Sequence, residues 1–323
     1  MTVPSELAGA PLLALTANQF LLTALTIAWI LGFFAGRRRG WDWTRCLGLS
    51  LVVFPFARFG LNVVLSIDLL FEQGLVLPAL TQAQLWGSVW RSFLYNLVVP
   101  TAGLLLVFQG VPRLQLGGDP RGALARILAL LRLPRQGWRR DALHGQALFG
   151  LVAVFYLFSV LFLATTLGRA LMNNDESRVF ANITPLLILL LSLLAGVGEE
   201  YLFRGVLQEW LFTKVPWPVA LLAQAAFFGL VHAGYGTIAH VVGPLAFGIL
   251  AGLVAMRLGL LAAVIIHAEI DIAYFVLGSG DPILLAAGTL LVLGSVAAIV
   301  VTRAESVRTL LRPLPSWSGK PWM

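Results

Sequence analysis

Two adjacent carboxylates, Glu199 and Glu200, stand with Arg204 in one apolar run, and two later apolar runs carry His232 and the pair His267 and Asp271. These side chains could do acid–base chemistry together, and their setting makes them expensive. Residues 187–195 hold no ionisable side chain, and a charge at the centre of a membrane helix costs about 2.5–3.5 kcal/mol on insertion scales. Spacing offers part of the compensation. Glu200 and Arg204 are four apart, on one helix face, with the acid ahead of the base. Glu199 lies about 100° further round, so the arginine cannot serve both carboxylates. Glu199 is expected to face another helix or water. His267 and Asp271 share a face by the same geometry, whereas Glu269 points about 200° away from His267 and is expected to pack or pair elsewhere.

Two chemistries fit such a set. Glu199, His232 and His267 could together hold a metal such as zinc. Equally, Glu199 could act directly as general base on a water shared with a histidine. The sequence lacks the His-Glu-x-x-His helix of ordinary zinc proteases, a Gly-x-Ser-x-Gly elbow and a glycine-rich phosphate loop. The single Cys46 excludes an internal disulfide and any multi-cysteine metal site.

The elements that must position these residues are membrane helices. Of the 323 residues, 59% are hydrophobic and only 11% charged, a composition that excludes a soluble globular protein. Hydropathy predicts an all-α polytopic protein with about nine spans, near 12–35, 46–71, 92–109, 147–167, 183–202 with a continuation to 212, 218–232, 241–256, 260–277 and 283–301. The second is the weakest, because Arg58 and Asp68 interrupt it, as a break or an internal ion pair would. The net charge of +7 comes from arginines lying between apolar runs rather than along one basic face, which argues against a nucleic-acid partner. Arg37, Arg38 and Arg39, then Arg121 to Arg140, then Arg303 to Arg312 fall in loops on one side. The positive-inside rule therefore predicts an inner (plasma) membrane protein with its amino terminus outside and its carboxyl terminus cytoplasmic. Trp41, Trp43, Trp86, Trp90, Trp210 and Trp217 mark span ends.

This layout divides the chain into an amino-terminal three-span part (1–110), a basic cytoplasmic loop (111–145) with a surface helix over 121–133, a membrane core (146–302) and a cytoplasmic tail (303–323). Within the core, Ala225 with Gly229 and Gly248 with Gly252 are small-residue pairs that let helices approach closely. One tension remains, since counting from span ends puts Glu199 and His267 near mid-membrane and His232 near the outer end. A broken, shifted or re-entrant helix is needed if the three meet.

Glu199-Glu200-x-x-x-Arg204, Phe228-x-x-x-His232 and His267-x-x-x-Asp271, in this order on separate apolar helices, resemble the three motifs of the CPBP intramembrane protease family, also called the Abi or CAAX-protease-like family. Phe203-Arg204-Gly205, Gly248-Ile-Leu-Ala-Gly252 and Arg257-Leu-Gly259 are also similar to its pattern. The resemblance covers roughly residues 187–275. It implies a CAAX-protease-like helical core, with Glu199 as catalytic base working with His232 on the attacking water, and Glu200 and Arg204, with Phe228, in support. His267 and the residue at 271 would stabilise the oxyanion. Position 271 departs from one common form of the pattern, being Asp rather than Asn, and an ionised Asp271 cannot donate a hydrogen bond. It is expected to accept one from His267 and fix that ring's tautomer, or to be protonated itself. The family was first described as metal-dependent, but its better-understood members resemble glutamate-type proteases, so no cofactor is expected and zinc is the alternative. The function so implied is an intramembrane endopeptidase acting on a membrane-tethered protein or peptide near its carboxy-terminal tail, lipid-modified or carrying a sorting tail. A proton-coupled transporter, or an inactive scaffold or immunity protein of the same fold, are the alternatives.

Overall fold

The computed structural model describes residues 17–66, 80–109, 139–150, 183–233, 238–279, 282–302 and 305–311. Asp68, the surface helix expected over 121–133 and most of the fourth expected span lie outside them. Among the described residues the protein is all helical. Helices α1 (Ala17–Arg38) and α2 (Trp43–Ser66) lead into α3 (Gln82–Arg91), a π-helical segment (Ser92–Val98) and α4 (Val99–Gln109). Residues 139–150 form α5. The core then follows as α6 (Pro185–Glu200), a second π segment (Tyr201–Gln208), α7 (Glu209–Phe212), α8 (Trp217–Leu230), α9 (Ala239–Leu258), α10 (Leu260–Ser279), α11 (Pro282–Val301) and α12 (Glu305–Leu311).

Five helical stretches are long and apolar enough to cross a membrane: Gln19–Arg38, Trp43–Ser66, Gln82–Val107, Pro185–Phe212 and His240–Leu258, or up to six if Gly288–Val301 with Glu305–Leu311 is one span. The nine expected spans are not all reached among the described residues. The third begins at Gln82 rather than near Ser92. Its first turns are polar enough to read as loop, but Thr81 opens a capping box with Gln84, each satisfying a backbone N–H of the other. The sixth is a helix of only 14 residues.

Local chemistry sets the boundaries around the site. Thr184 caps α6, its hydroxyl accepting from the Leu187 N–H, and Pro185 fills the first helical position, where no N–H is needed. Gly259 has φ 105°, a conformation available to glycine, and it joins α9 to α10 through a single residue. Two close approaches then lock the core. A Cβ on Gly229 would lie 2.6 Å from the Val241 carbonyl oxygen, and one on Gly248 would lie 3.0 Å from the Ala225 Cα, so these small residues are where α8 and α9 meet. Gln208 and Gln224, both buried, donate to the carbonyls of Gly252 and Gly248 at 3.3 and 2.9 Å.

The apolar core does not stop at the family-like region. Val52 and Leu104 share one buried cluster with Leu202, Phe203, Phe228, Val254 and Ile266, and Phe56 and Phe59 pack on it from α2. Phe203 is ringed by Phe56, Phe59, Phe227 and Phe228 at centroid distances of 5.0 to 6.2 Å. Thr101 donates to the Tyr201 hydroxyl at 3.1 Å, tying α4 to the second π segment. The second and third spans are thus packed into the wall around the charged cluster, while α1 packs on α2.

Candidate active site

The carboxylate pair ends α6, midway along the 28-residue stretch Pro185–Phe212. Directly after it the backbone widens into the π segment, a feature that often accompanies a functional site because it re-aims side chains. Glu200 and Arg204 are both fully buried, and Arg204 Nη1 donates to Glu200 Oε1 at 2.8 Å. The guanidinium also lies 4.3 Å from the Phe228 ring centroid, so its uncovered face meets aromatic π density. Glu199 departs from this arrangement. Its side chain keeps 20% of its surface accessible, and Arg204 does not pair with it.

His267 sits between the two glutamates. Its Nδ1 is 2.7 Å from Glu200 Oε1. A carboxylate already accepting from arginine is an acceptor here too, so Nδ1 carries the proton and Nε2 turns to the other side. There Nε2 lies 3.9 Å from Glu199 Oε2 and 3.8 Å from Asp271 Oδ2. Glu200, rather than Asp271 as the sequence suggested, therefore fixes the tautomer. The reason is geometric: residues four apart on a helix share a face, but the Nδ1 edge of the ring turns towards α6, leaving Asp271 beyond direct hydrogen-bond reach. Contacts of 3.8 and 3.9 Å are too long for hydrogen bonds and of a length that an intervening oxygen can bridge.

His232 enters from α8. That helix rises about 21 Å over its 14 residues, short of the ~30 Å hydrocarbon core, so its end falls inside the bilayer. This early stop removes the depth conflict seen in the sequence. Beyond Leu230 the chain turns, and the His232 Nδ1 lies 2.8 Å from the Phe228 carbonyl. A carbonyl only accepts, so Nδ1 is the protonated nitrogen and Nε2 carries the lone pair. Phe228 bridges the two imidazoles, with ring centroids 4.9 Å from His232 and 5.9 Å from His267. Phe247 covers His267 from α9 at 4.9 Å.

Among the described residues no three His, Cys, Asp or Glu side chains are gathered closely enough to hold a metal ion. Glu199, His232 and His267 therefore do not fit the zinc alternative in this arrangement.

Glu269, set apart from the cluster by helical geometry, is buried on the opposite side, where the Gln146 amide of α5 reaches its carboxylate. Two residues that sequence reasoning did not assign to the site lie beside it. Arg58 of α2 donates from Nη2 to the Asn96 Oδ1 at 2.9 Å and is near enough for its charge to act on Glu199. Asn96, 3% exposed in the first π segment, abuts Gly198, on which a Cβ would lie 3.0 Å from the Asn96 Cβ. The only signal of either was a charge inside an apolar run at Arg58.

The all-helical fold thus places a buried acid, arginine and histidine cluster beside a partly accessible glutamate. Residues 181–273 match the family model described as Type II CAAX prenyl endopeptidase, Rce1-like, the same family that the three motifs resemble. The match supports membrane endopeptidase activity in general. It contains Glu199, Glu200, Arg204, His232, His267 and Asp271, and excludes Arg58 and Asn96. No curated protein and no solved structure matches the chain.

Proposed function

We propose that the protein is a glutamate-type intramembrane endopeptidase that removes a carboxy-terminal segment from a membrane-tethered protein. The observation that carries this reading is the division of roles between neighbouring glutamates. Glu200 Oε1 is held by both Arg204 and His267, in a carboxylate that is fully buried. The Glu199 side chain stays 20% accessible, and its Oε2, without a hydrogen-bond partner, faces the other edge of the same imidazole at 3.9 Å.

In the proposed cycle, Glu199 accepts a proton from a water molecule as the water oxygen bonds to the scissile carbonyl carbon. The Nε2 lone pair of His232 is the second partner of that water. Charge develops on the carbonyl oxygen. His267, its Nδ1–H held by Glu200, carries a second proton on Nε2 in this cycle and presents that N–H, beside Asp271, to the oxygen. The tetrahedral intermediate collapses by breaking the C–N bond. The proton held by Glu199 passes to the departing amine, so that one water is consumed and a carboxylic acid and an amine are released. No metal step is needed. The substrate is a lipid-modified protein tail or a sorting tail lying in the bilayer. The amino terminus faces outside and the carboxyl terminus the cytoplasm, in accordance with the arginine-rich loops.

Proteomics of membranes from cells carrying Glu199→Gln tests the reading. Uncleaved carboxy-terminal tails should accumulate, while the purified variant melts at the wild-type temperature. Full processing of an identified substrate by this folded variant would overturn the mechanism. A transporter would instead show proton-linked solute uptake that the same substitution abolishes.

A further inference from the structure

Arg58 is a guanidinium inside a membrane protein without an ion-pair partner among the described residues. Only Nη2 is engaged, with the Asn96 Oδ1 at 2.9 Å, and the buried Nε has no acceptor. The rings of Phe59 and Tyr95, at 4.4 and 5.8 Å, hold the group from α2 and the first π segment. Because Asn96 Oδ1 accepts from Arg58, the Asn96 amide nitrogen turns its two N–H groups away from the guanidinium. Among the described residues it donates to nothing. Arg58 and Asn96 thus offer only donors, and Asn96 is wedged against Gly198, the residue preceding Glu199.

A buried arginine ordinarily takes a carboxylate, since its planar fork matches two oxygens at once and its desolvation is otherwise uncompensated. Nothing among the described residues of the chain supplies one at bonding distance. A substrate tail would. The carboxy-terminal group of a polypeptide drawn into the membrane is itself an anion in need of a cation. On the function proposed above, it is also what the departing segment must carry.

We infer that Arg58 and Asn96 form the binding site for the free terminal carboxylate of the substrate, with Arg58 taking the carboxylate in its fork and the Asn96 amide donating to it. Specificity for a chain end, rather than for an internal loop, then comes from the amino-terminal spans and not from the matched family region. The closeness of Asn96 to Gly198 limits the departing segment to a few residues, at about 3.4 Å for each extended residue. Longer tails would carry their carboxylate past the site.

The test uses the full chain in lipid nanodiscs with two fluorogenic lipid-anchored peptides, identical except that one ends in a free carboxylate and the other in a carboxamide. Wild type should prefer the acid by at least about tenfold in kcat/KM, the scale of losing one partner of a buried charge pair. Arg58→Gln should bring the ratio close to one, and Arg58→Lys should retain part of the preference as a point charge without the fork. Asn96→Leu should narrow it as well. Equal cleavage of acid and amide by wild type, or a loss in Arg58→Gln that leaves the ratio intact, would overturn the inference and leave Arg58 with no role beyond its field on Glu199. Cleavage of neither peptide by wild type would overturn the endopeptidase reading and the inference with it.

Discussion

Replacing Arg204 by methionine keeps the approximate volume and removes only the charge and its donors. In the wild-type chain both members of the Glu200–Arg204 pair are fully buried and 2.8 Å apart. The variant leaves Glu200 in the interior with one remaining partner, His267 at 2.7 Å, and with an Oε2 that already lacks one. Breaking a buried pair from one side costs about 3–5 kcal/mol. The charge-assisted bond from His267 offsets part of this, so a loss of about 3 kcal/mol is expected. At roughly 2–4 °C for each kcal/mol in a protein of moderate size, that corresponds to a fall in Tm of roughly 6–12 °C. The assay is thermal unfolding of purified protein in detergent, followed by tryptophan fluorescence, with monodisperse yield as a second readout. The double variant Glu200→Gln, Arg204→Met removes both charges while the glutamine oxygen still accepts from His267. It should recover most of the loss, because the penalty lies in the unpaired ion rather than in the missing attraction. If Arg204→Met melts within a degree of wild type, or the double variant is no better than the single, Glu200 is not the buried, pair-dependent anion described here.

Gly229→Ala should destabilise by about 1–3 kcal/mol, because the added Cβ would sit 2.6 Å from a backbone carbonyl that no side-chain rotation can move. It should also slow cleavage through displacement of His232, measurable as a lower kcat in protein refolded to the same specific ellipticity. Asp271→Asn should keep or raise peptidase activity, since an amide can donate to the oxyanion where a carboxylate cannot, and Asp271→Ala should lower kcat in the same peptide assay. At the far end of α5, buried His144 places Nδ1 2.7 Å from the Ser306 hydroxyl, and burial chiefly pushes its pKa below the ordinary 6.5. Its proton therefore binds more tightly in the unfolded chain. The stability that neutral His144 confers is complete above about 6.5 and is lost as pH falls through that value towards the folded pKa. Melting curves at pH 7.5 and 5.5 should show a larger acid-induced fall in wild type than in His144→Gln.

What the sequence made legible were the groups whose cost is local. Two carboxylates and an arginine in an apolar run announce themselves by composition, and the i, i+4 spacing of Glu200 and Arg204 pairs them before any fold is known. The 3.6-residue period likewise separates Glu269 from His267 without tertiary information. Other features depend on bonding that hydropathy does not record. The π segments at Ser92–Val98 and Tyr201–Gln208 change the backbone ladder while leaving the apolar pattern untouched. The end of α8 at Leu230 falls within two residues of the expected span end at 232; what hydropathy does not record is that a helix of 14 residues is too short to cross the hydrocarbon core. The partner of His267 was misassigned to Asp271 for a related reason. Helical spacing finds neighbours on one helix, whereas the shorter contact crosses from α10 to α6.

The same distinction supports the proposal that Glu199 rather than Glu200 is the reactive group. Position along α6 gives the two carboxylates nearly equal depth, so depth cannot separate their chemistry. Compensation does. Glu200 Oε1 receives one guanidinium N–H and an imidazole N–H at bonding distance, which ties it to one geometry. Glu199 has His267 only at 3.9 Å, and the field of Arg58 from a helix outside the matched region. An anion held at arm's length by its counter-charges keeps both its lone pairs and its freedom to take a proton, as a general base must. A site assembled in this way cannot be contained in residues 181–273 alone. The paired glutamate has its partners wholly in that region, while the surroundings of the proposed reactive one include Arg58 and Asn96 of the amino-terminal spans.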